Sequence, residues 1–308
     1  MKAFARQVEA HATSVRRYSS VKLGDLVTGP GATREALRAL SRVTFSRLGH
    51  HGQFGNQLFQ ISAVLGFAAK YGCRPTLPPW RCAEGGFDYG NYFPQLNRYF
   101  GRCSGTVYRE PNFAYNEIPF ILNVDLRGHF QSEKYFMSIK SKIREIFREP
   151  PFVEAALNSY CADHRLNEFN AIHFRFYSDP IKDKRTVLDA LPDSYFLKAM
   201  ERLGSNRPLV VATDDKSKLR EFLVRNGIAD GVHVLTLDHP LLDFFMLARA
   251  ERIAIGNSSF SWWAAYLGKQ KSEILAPDRY HWFDPMERRK SFENTKDLYP
   301  DSFKELIF

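Results

Sequence analysis

The sequence predicts an α/β protein that binds its ligand at one end of a parallel sheet, on three observations. Short apolar runs at Ala171–Phe174, Leu209–Ala212, Val232–Leu235, Ile253–Ile255 and Ile274–Leu275 alternate with helical patterns near Ser194–Leu203, Lys216–Arg225, Leu242–Ala250 and Phe260–Gly268. That alternation is the signature of a parallel sheet covered by helices on both faces. Polar residues fall just after the strands, as His173-Phe174-Arg175, Thr213-Asp214-Asp215 and Gly256-Asn257-Ser258-Ser259, where such sheets bind ligands. At 308 residues, 44% hydrophobic and 25% charged, the chain suits two globular domains of ordinary size.

The elements follow in order. Residues 1–42 carry eight Lys/Arg against three Asp/Glu, a net of +5, so the other 266 residues hold only +4 of the total +9. A nucleic-acid binder concentrates basic charge on a folded recognition surface; here it lies in a terminal extension. The extension reads as a solvated tail with a short helix around Arg34–Leu40, or as a segment for docking on a membrane surface or for targeting. Val43–Leu48 is expected as the first strand, followed by a turn at His50–Gly55 and a helix from Asn56 to Lys70. Leu58, Ile61, Leu65 and Ala68 recur along that helix at its own period, and Gly72 stands where a left-handed cap belongs. Residues 80–120, aromatic and rich in Gly, Pro and Asn, are expected to be irregular. A strand is expected at Ile121–Leu126 and a helix at Ser132–Arg148.

No run reaches the roughly 18 apolar residues of a spanning helix. Cys73, Cys82, Cys103 and Cys161 form no metal-binding spacing and read as free thiols in a reducing compartment. The expected location is therefore cytoplasmic, with peripheral membrane contact through the basic extension as an option. No Asp-x-Asp, Walker loop or GxGxxG occurs, so neither a metal–diphosphate site nor a dinucleotide cradle is expected.

The candidate binding chemistry is that of a diphosphate. Ser258 and Ser259 at a strand-to-helix turn offer hydroxyls and free amides at the positive end of a helix; the same residues are favoured N-caps. Asn257 belongs to the same turn. Arg175 carries a permanent charge able to grip a diphosphate at two points, and an Arg in this place is also an ordinary ion-pair partner. His173 is either a satisfied, half-buried imidazole or a nucleotide contact. One of Asp214 and Asp215 is expected to cap the following helix, leaving the other for a guanine edge or a ribose. Trp262 and Trp263 read as core.

Three segments in register resemble the α-1,2-fucosyltransferase family, GT11. His51-Gly52-Gln53-Phe54-Gly55-Asn56-Gln57-Leu58-Phe59-Gln60 is similar to its GxGNQxFQ opening. Gly128 through Phe136 is similar to G-Y-F-Q-S-E-K-Y-F, with His129 in place of the Tyr. Asn257-Ser258-Ser259-Phe260-Ser261-Trp262-Trp263 resembles the NSSFSWW block. The family's H-x-R-R-x-D is altered: Arg175 is kept, Phe176 replaces the second Arg, and the acid, Asp179, is displaced by one position.

The resemblance implies a GT-B fold, with two Rossmann-like domains facing a cleft, and transfer of L-fucose from GDP-β-L-fucose to a galactoside hydroxyl. It also implies inversion at the anomeric carbon, no required metal and no cofactor beyond the GDP-sugar itself. Arg175 would hold the diphosphate, Ser258 and Ser259 would bind phosphate, and Asn56 would face the cleft near the transferred sugar or acceptor. The expected domains are 43–165 on the acceptor side and 166–308 on the GDP side. The expected partners are a GDP-sugar donor and a glycan acceptor, and no nucleic acid. Asp179 and Glu133 are the candidate general bases. A transferase using another GDP-sugar, or a binding protein that has lost catalysis, remain the alternatives.

Overall fold

The computed structural model describes residues 30–177, 188, 190–228, 231–237, 239–268, 271–283 and 294–308. Arg16, Arg17 and Asp179 lie outside them. Two parallel sheets organise the chain, and the order of their strands fixes where a ligand can enter.

The first sheet contains Arg42–Thr44 (β1), Arg74–Thr76 (β2), Thr106–Arg109 (β3) and Val124–Arg127 (β4), in the order β2-β1-β4-β3. All its pairings are parallel. Before it runs the helix Pro30–Leu40 (α1), longer than expected at its N-terminal end. Arg38 of α1 rests over the rings of Tyr71 and Phe120, 5.9 and 5.6 Å from their centroids. The end of the extension therefore packs on the folded body, and Arg42 is already a strand residue.

Phe54–Tyr71 (α2) is buried along nearly its whole length and ends at Gly72 in the left-handed conformation (φ 69°), as its sequence foretells. Buried on all sides, it is a core helix rather than an amphipathic one. Gly66 lets it approach the segment after β4. A Cβ there would stand 2.0 Å from the Tyr135 carbonyl oxygen, so only hydrogen fits.

That approach explains a difference from the expected helix at 132–148. Two 3-10 turns, Glu133–Tyr135 and Met137–Ile139, precede a short α-helix, Lys140–Ile146 (α3). Phe136 breaks the run at φ −140° so that Tyr135 and Phe136 are both buried against α2. The segment 80–120 is irregular apart from the 3-10 turns Tyr89–Asn91 and Pro94–Tyr99 and β3, an edge strand with no buried residue. Pro151–His164 (α4) was not foreseen; it buries only Val153 and Leu157 and leaves a weak apolar period.

The second sheet contains Asn170–Phe174 (β5), Leu209–Thr213 (β6), Val232–Val234 (β7), Arg252–Ala254 (β8), Glu273–Pro277 (β9) and Phe303–Leu306 (β10). Its helices are Asp193–Leu203 (α5), Lys216–Arg225 (α6), Pro240–Arg249 (α7) and Ser259–Leu267 (α8). These agree with the expected elements within a residue or two at each end, and β10 is an addition. The order is β10-β9-β8-β5-β6-β7, all parallel. Read from β5, that is the 3-2-1-4-5-6 order of the Rossmann fold, in which connections reverse direction between the first and fourth strands. Here those are β5 and β8.

Each sheet thus has a switch point: between β1 and β4 in the first, between β5 and β8 in the second. Trp262 and Trp263 are fully buried where α8 packs on α2, as expected for core residues. All four cysteines are free thiols.

Candidate functional site

A cavity of about 830 Å³ lies where the two switch points meet, a volume within the usual range for ligand pockets. From the first sheet it is lined by Gly52–Asn56, which follow β1, and by His129 and Gln131, which follow β4. From the second it is lined by His173, Arg175 and Tyr177 at the end of β5, Thr213 and Asp214 at the end of β6, Asp243 on α7, and Ser258–Phe260 after β8. Phe87, Tyr89, Phe113 and Phe283 complete an aromatic portion of its wall.

Two helix N-termini meet at this cavity. A Cβ on Gly55, in the first turn of α2, would fall 2.5 Å from Ser259 C and 2.6 Å from Phe260 N in the first turn of α8. Gln53 provides no side-chain cap for α2, so the first amides of that helix have neither a cap nor an intrahelical acceptor. Two positive dipole ends are thereby focused on one place. On α8, Ser258 accepts a hydrogen bond from Phe260 N at 3.3 Å. Capping and ligand contact are not exclusive here, because a hydroxyl that accepts from an amide still has its own proton to donate.

Arg175 sits at the tip of β5. Its Nη1 lies 3.3 Å from Asp214 Oδ2, and its guanidinium stands over the Tyr177 ring, 5.1 Å from the centroid. The Asp214 carboxylate also accepts from Phe176 N at 2.8 Å and Tyr177 N at 3.1 Å. Asp214 therefore helps to fix this turn while lining the cavity, on the ligand side expected for one of the two aspartates. Asp215 is the expected cap, so only its place among the candidate ligand residues is corrected. It caps α6, accepting from Ser217 N and Lys218 N, each at 3.0 Å, and it does not line the cavity.

His173, 5% exposed, has a wholly buried Nδ1 with no partner among the described residues. Burial, helped by the charge of Arg175, lowers its pKa to about 3, so the ring is neutral at ordinary pH. Asn257 is fully buried and stands behind the cavity wall instead of in it. Its carbonyl accepts from the Tyr177 hydroxyl at 2.5 Å, and its amide donates to the His281 carbonyl at 3.3 Å. Asn257 is thus a structural member of the turn, not a ligand contact, which corrects the expectation for it. Asn56 lines the cavity as expected, and its Oδ1 accepts from Gln131 Nε2 at 2.5 Å.

Glu133, a candidate base, does not line the cavity; its nearest charge is Lys140, 3.9 Å away. Asp179, the other, lies outside the described residues. Sequence reasoning missed Gln131, His129 and Tyr177. Gln131 and His129 lie inside a segment that resembles the family, which was the available signal; nothing distinguishes Tyr177 in the sequence. His129 packs its ring on His51, centroids 4.7 Å apart, and burial followed by the neighbouring His51 lowers its pKa to about 4. Behind it Glu110 accepts from the backbone nitrogens of His129 and Phe130 at 2.7 and 3.0 Å, and burial raises its pKa to about 7. Among the described residues no group of three or more His, Cys, Asp or Glu gathers as for a metal ion.

Two parallel α/β units that present their switch points to one shared cleft define the GT-B class of architecture. Within that class the chain belongs to glycosyl transferase family 11, whose profile matches residues 104–296. It is 27% identical over 188 residues to a galactoside 2-alpha-L-fucosyltransferase of Caenorhabditis elegans, covering 58% of this chain and 51% of that protein. It is 26% identical over 180 residues to an alpha-1,2-colitosyltransferase of Escherichia coli, covering 56% of this chain and 60% of that one. The matches thus span between half and three fifths of these relatives' lengths. Among solved structures, the fucosyltransferase NodZ from Bradyrhizobium is similar at TM-score 0.49 and 15% identity, over 77% of this chain and 94% of that one.

Proposed function

We propose that the chain transfers L-fucose from GDP-β-L-fucose to a hydroxyl of a galactoside glycan, forming an α-1,2 linkage with inversion. Residues 166–308 would hold the GDP moiety and residues 43–165 the acceptor. The observation that carries this reading is the convergence of Arg175 with the starts of α2 and α8 on a single cavity.

Breaking a glycosidic bond to a diphosphate places positive charge on the sugar and negative charge on the departing phosphate. The barrier falls most where fixed positive charge already faces the leaving group. Arg175 supplies a full charge, the two helix ends supply partial ones, and Ser258 and Ser259 supply donors; none of these contributions needs a cation or a further cofactor. Asn56, held by Gln131, would face the transferred sugar, and the neutral His173 ring would pack against the nucleotide. The Caenorhabditis elegans relative's name supports the 2-linkage to a galactoside. The Escherichia coli relative's name makes the colitose donor the first alternative to include in a panel.

Arg175→Ala provides the test. Removing a donor that stabilises a developing anion costs on the order of 10²–10³ in turnover, so transfer from GDP-fucose to lactose should fall at least that far while the thermal melt is unchanged. Wild-type turnover in that variant refutes the assignment. GDP binding by the wild-type chain without turnover on GDP-fucose, GDP-colitose or GDP-mannose would instead mark it as a binding protein.

A further inference from the structure

Tyr177 stands in a conformation that its side chain does not favour. Its φ is 53°, in the left-handed region, which is unfavourable for a residue with a Cβ. Such strain persists only where the surroundings over-determine it, and it collects at working sites. Three contacts hold Tyr177 there. Its backbone nitrogen donates to Asp214 at 3.1 Å, its hydroxyl donates to the Asn257 carbonyl at 2.5 Å, and its ring lies beneath the Arg175 guanidinium.

Those contacts run to three different loops: Arg175 follows β5, Asp214 follows β6, and Asn257 is the residue before the Ser258 cap of α8. The preceding residue faces elsewhere. Phe176 packs with Phe174 and Phe196, ring centroids 5.9 and 6.4 Å away, in the apolar cluster on the far side of the sheet. The reversal at Tyr177 brings its ring back to the cavity.

We propose that Tyr177 is a positioning residue that ties the Arg175 guanidinium to the start of α8, so that both address the same β-phosphate. The inference rests on the reading of the cavity as a GDP-sugar site. Its ring fixes the plane of the guanidinium from below, as stacked Arg–aromatic pairs do, and its hydroxyl sets the distance to the Asn257–Ser258 turn. Tyr177 acts through Arg175, and only on the terminal phosphate of the diphosphate.

The experiment compares GDP with GMP, which lacks that phosphate, by calorimetry on the full chain. Wild type should prefer GDP, and Arg175→Ala should largely abolish the preference. Tyr177→Ala should lower it about tenfold, the scale of one charge-assisted hydrogen bond, with GMP affinity within about twofold of wild type on the same scale. The double variant should show no more loss than Arg175→Ala alone, since residues acting as one unit are not additive. Tyr177→Phe keeps the ring and removes only the tether; it should lose part of the preference, and it decides the matter if Tyr177→Ala does not fold. A wild-type GDP preference in both Tyr177 variants, or full additivity in the double variant, overturns the proposal. If Arg175→Ala itself keeps the preference, the GDP-sugar reading fails instead, and the two failures are distinguishable.

Discussion

Substituting Gly55 by Ala tests the junction on which the cavity is built. The added methyl would lie 2.5 Å from Ser259 C, 2.6 Å from Phe260 N and 2.7 Å from Ser259 O. Ordinary contact begins at 3.4 Å, so the shortfall is about 0.9 Å, and every atom in the way is backbone. No rotamer change relieves it; the start of α2 and the start of α8 must separate. Overpacking of this kind typically costs about 1–3 kcal/mol. Ala is the better helix former by up to about 1 kcal/mol in a helix interior, and Gly55 sits in the first turn, where less of that is recovered, so the steric cost wins.

Binding should suffer more than folding. A shift of about 0.9 Å turns a hydrogen bond of normal length into one that no longer counts as a bond. Each charge-assisted bond lost costs about 1.5–3 kcal/mol, or about tenfold to a hundredfold in affinity. Calorimetry with GDP alongside a thermal melt separates the two effects. Wild-type affinity together with a wild-type melting temperature would show that the two helix starts are not in contact, and the account of a shared anion site would go with it.

Two further predictions concern stability. Glu110, with its pKa raised to about 7 from 4.5, binds a proton more tightly folded than unfolded, so its contribution is complete below about pH 4.5 and is lost as pH rises through about 7. The loss is on the order of 3 kcal/mol. His129 and His173, with lowered pKa values, act in the opposite sense, so the difference between wild type and Glu110→Gln in urea unfolding at pH 5 and pH 8 isolates the carboxyl; equal differences at the two pH values contradict this. Lys271 donates from Nζ to the carbonyls of Ala248 at 2.9 Å and Ala250 at 2.6 Å, closing the end of α7. Lys271→Met leaves those buried acceptors unpaired, at about 1–3 kcal/mol, and should lower the melting temperature with GDP affinity unchanged; an unaltered melt would show that the amine closes nothing.

The second sheet was legible in the sequence because a doubly covered parallel strand is apolar on both faces and its functional residues must follow it. His173, Arg175, Asp214 and Ser258 could be located by that rule alone. Their partners could not. Whether Asp214 or Asp215 caps α6 depends on where the backbone turns after Thr213, and nothing local decides it. Asn257 is a good cap by residue type, yet the turn places it one residue too early and buries it. The broken helix at 132–148 shows the same limit: its residues suit a helix, and only the pressure of Tyr135 and Phe136 against Gly66, some 70 residues away in sequence, makes the chain do otherwise. α4 and β3 escaped notice because they bury too little for a period to show.

The pairing of Arg175 with Asp214 looks at first like an obstacle, since a carboxylate would compete with phosphate for the guanidinium. The geometry argues otherwise. Asp214 already takes two backbone amides, from Phe176 and Tyr177, so its charge is satisfied without Arg175. At 3.3 Å, with 28% of the arginine side chain and 16% of the aspartate side chain exposed, the attraction within the pair is offset by the desolvation of both groups. A guanidinium has five donors in a rigid fork, and Nη1 is the one that stands 3.3 Å from Asp214 Oδ2. On the proposed reading, the outer face of that fork and the two helix ends would be what an incoming diphosphate meets. Asp214 thus works as the anchor that aims the fork: an arginine lacking it would keep its charge but spend binding free energy on being ordered.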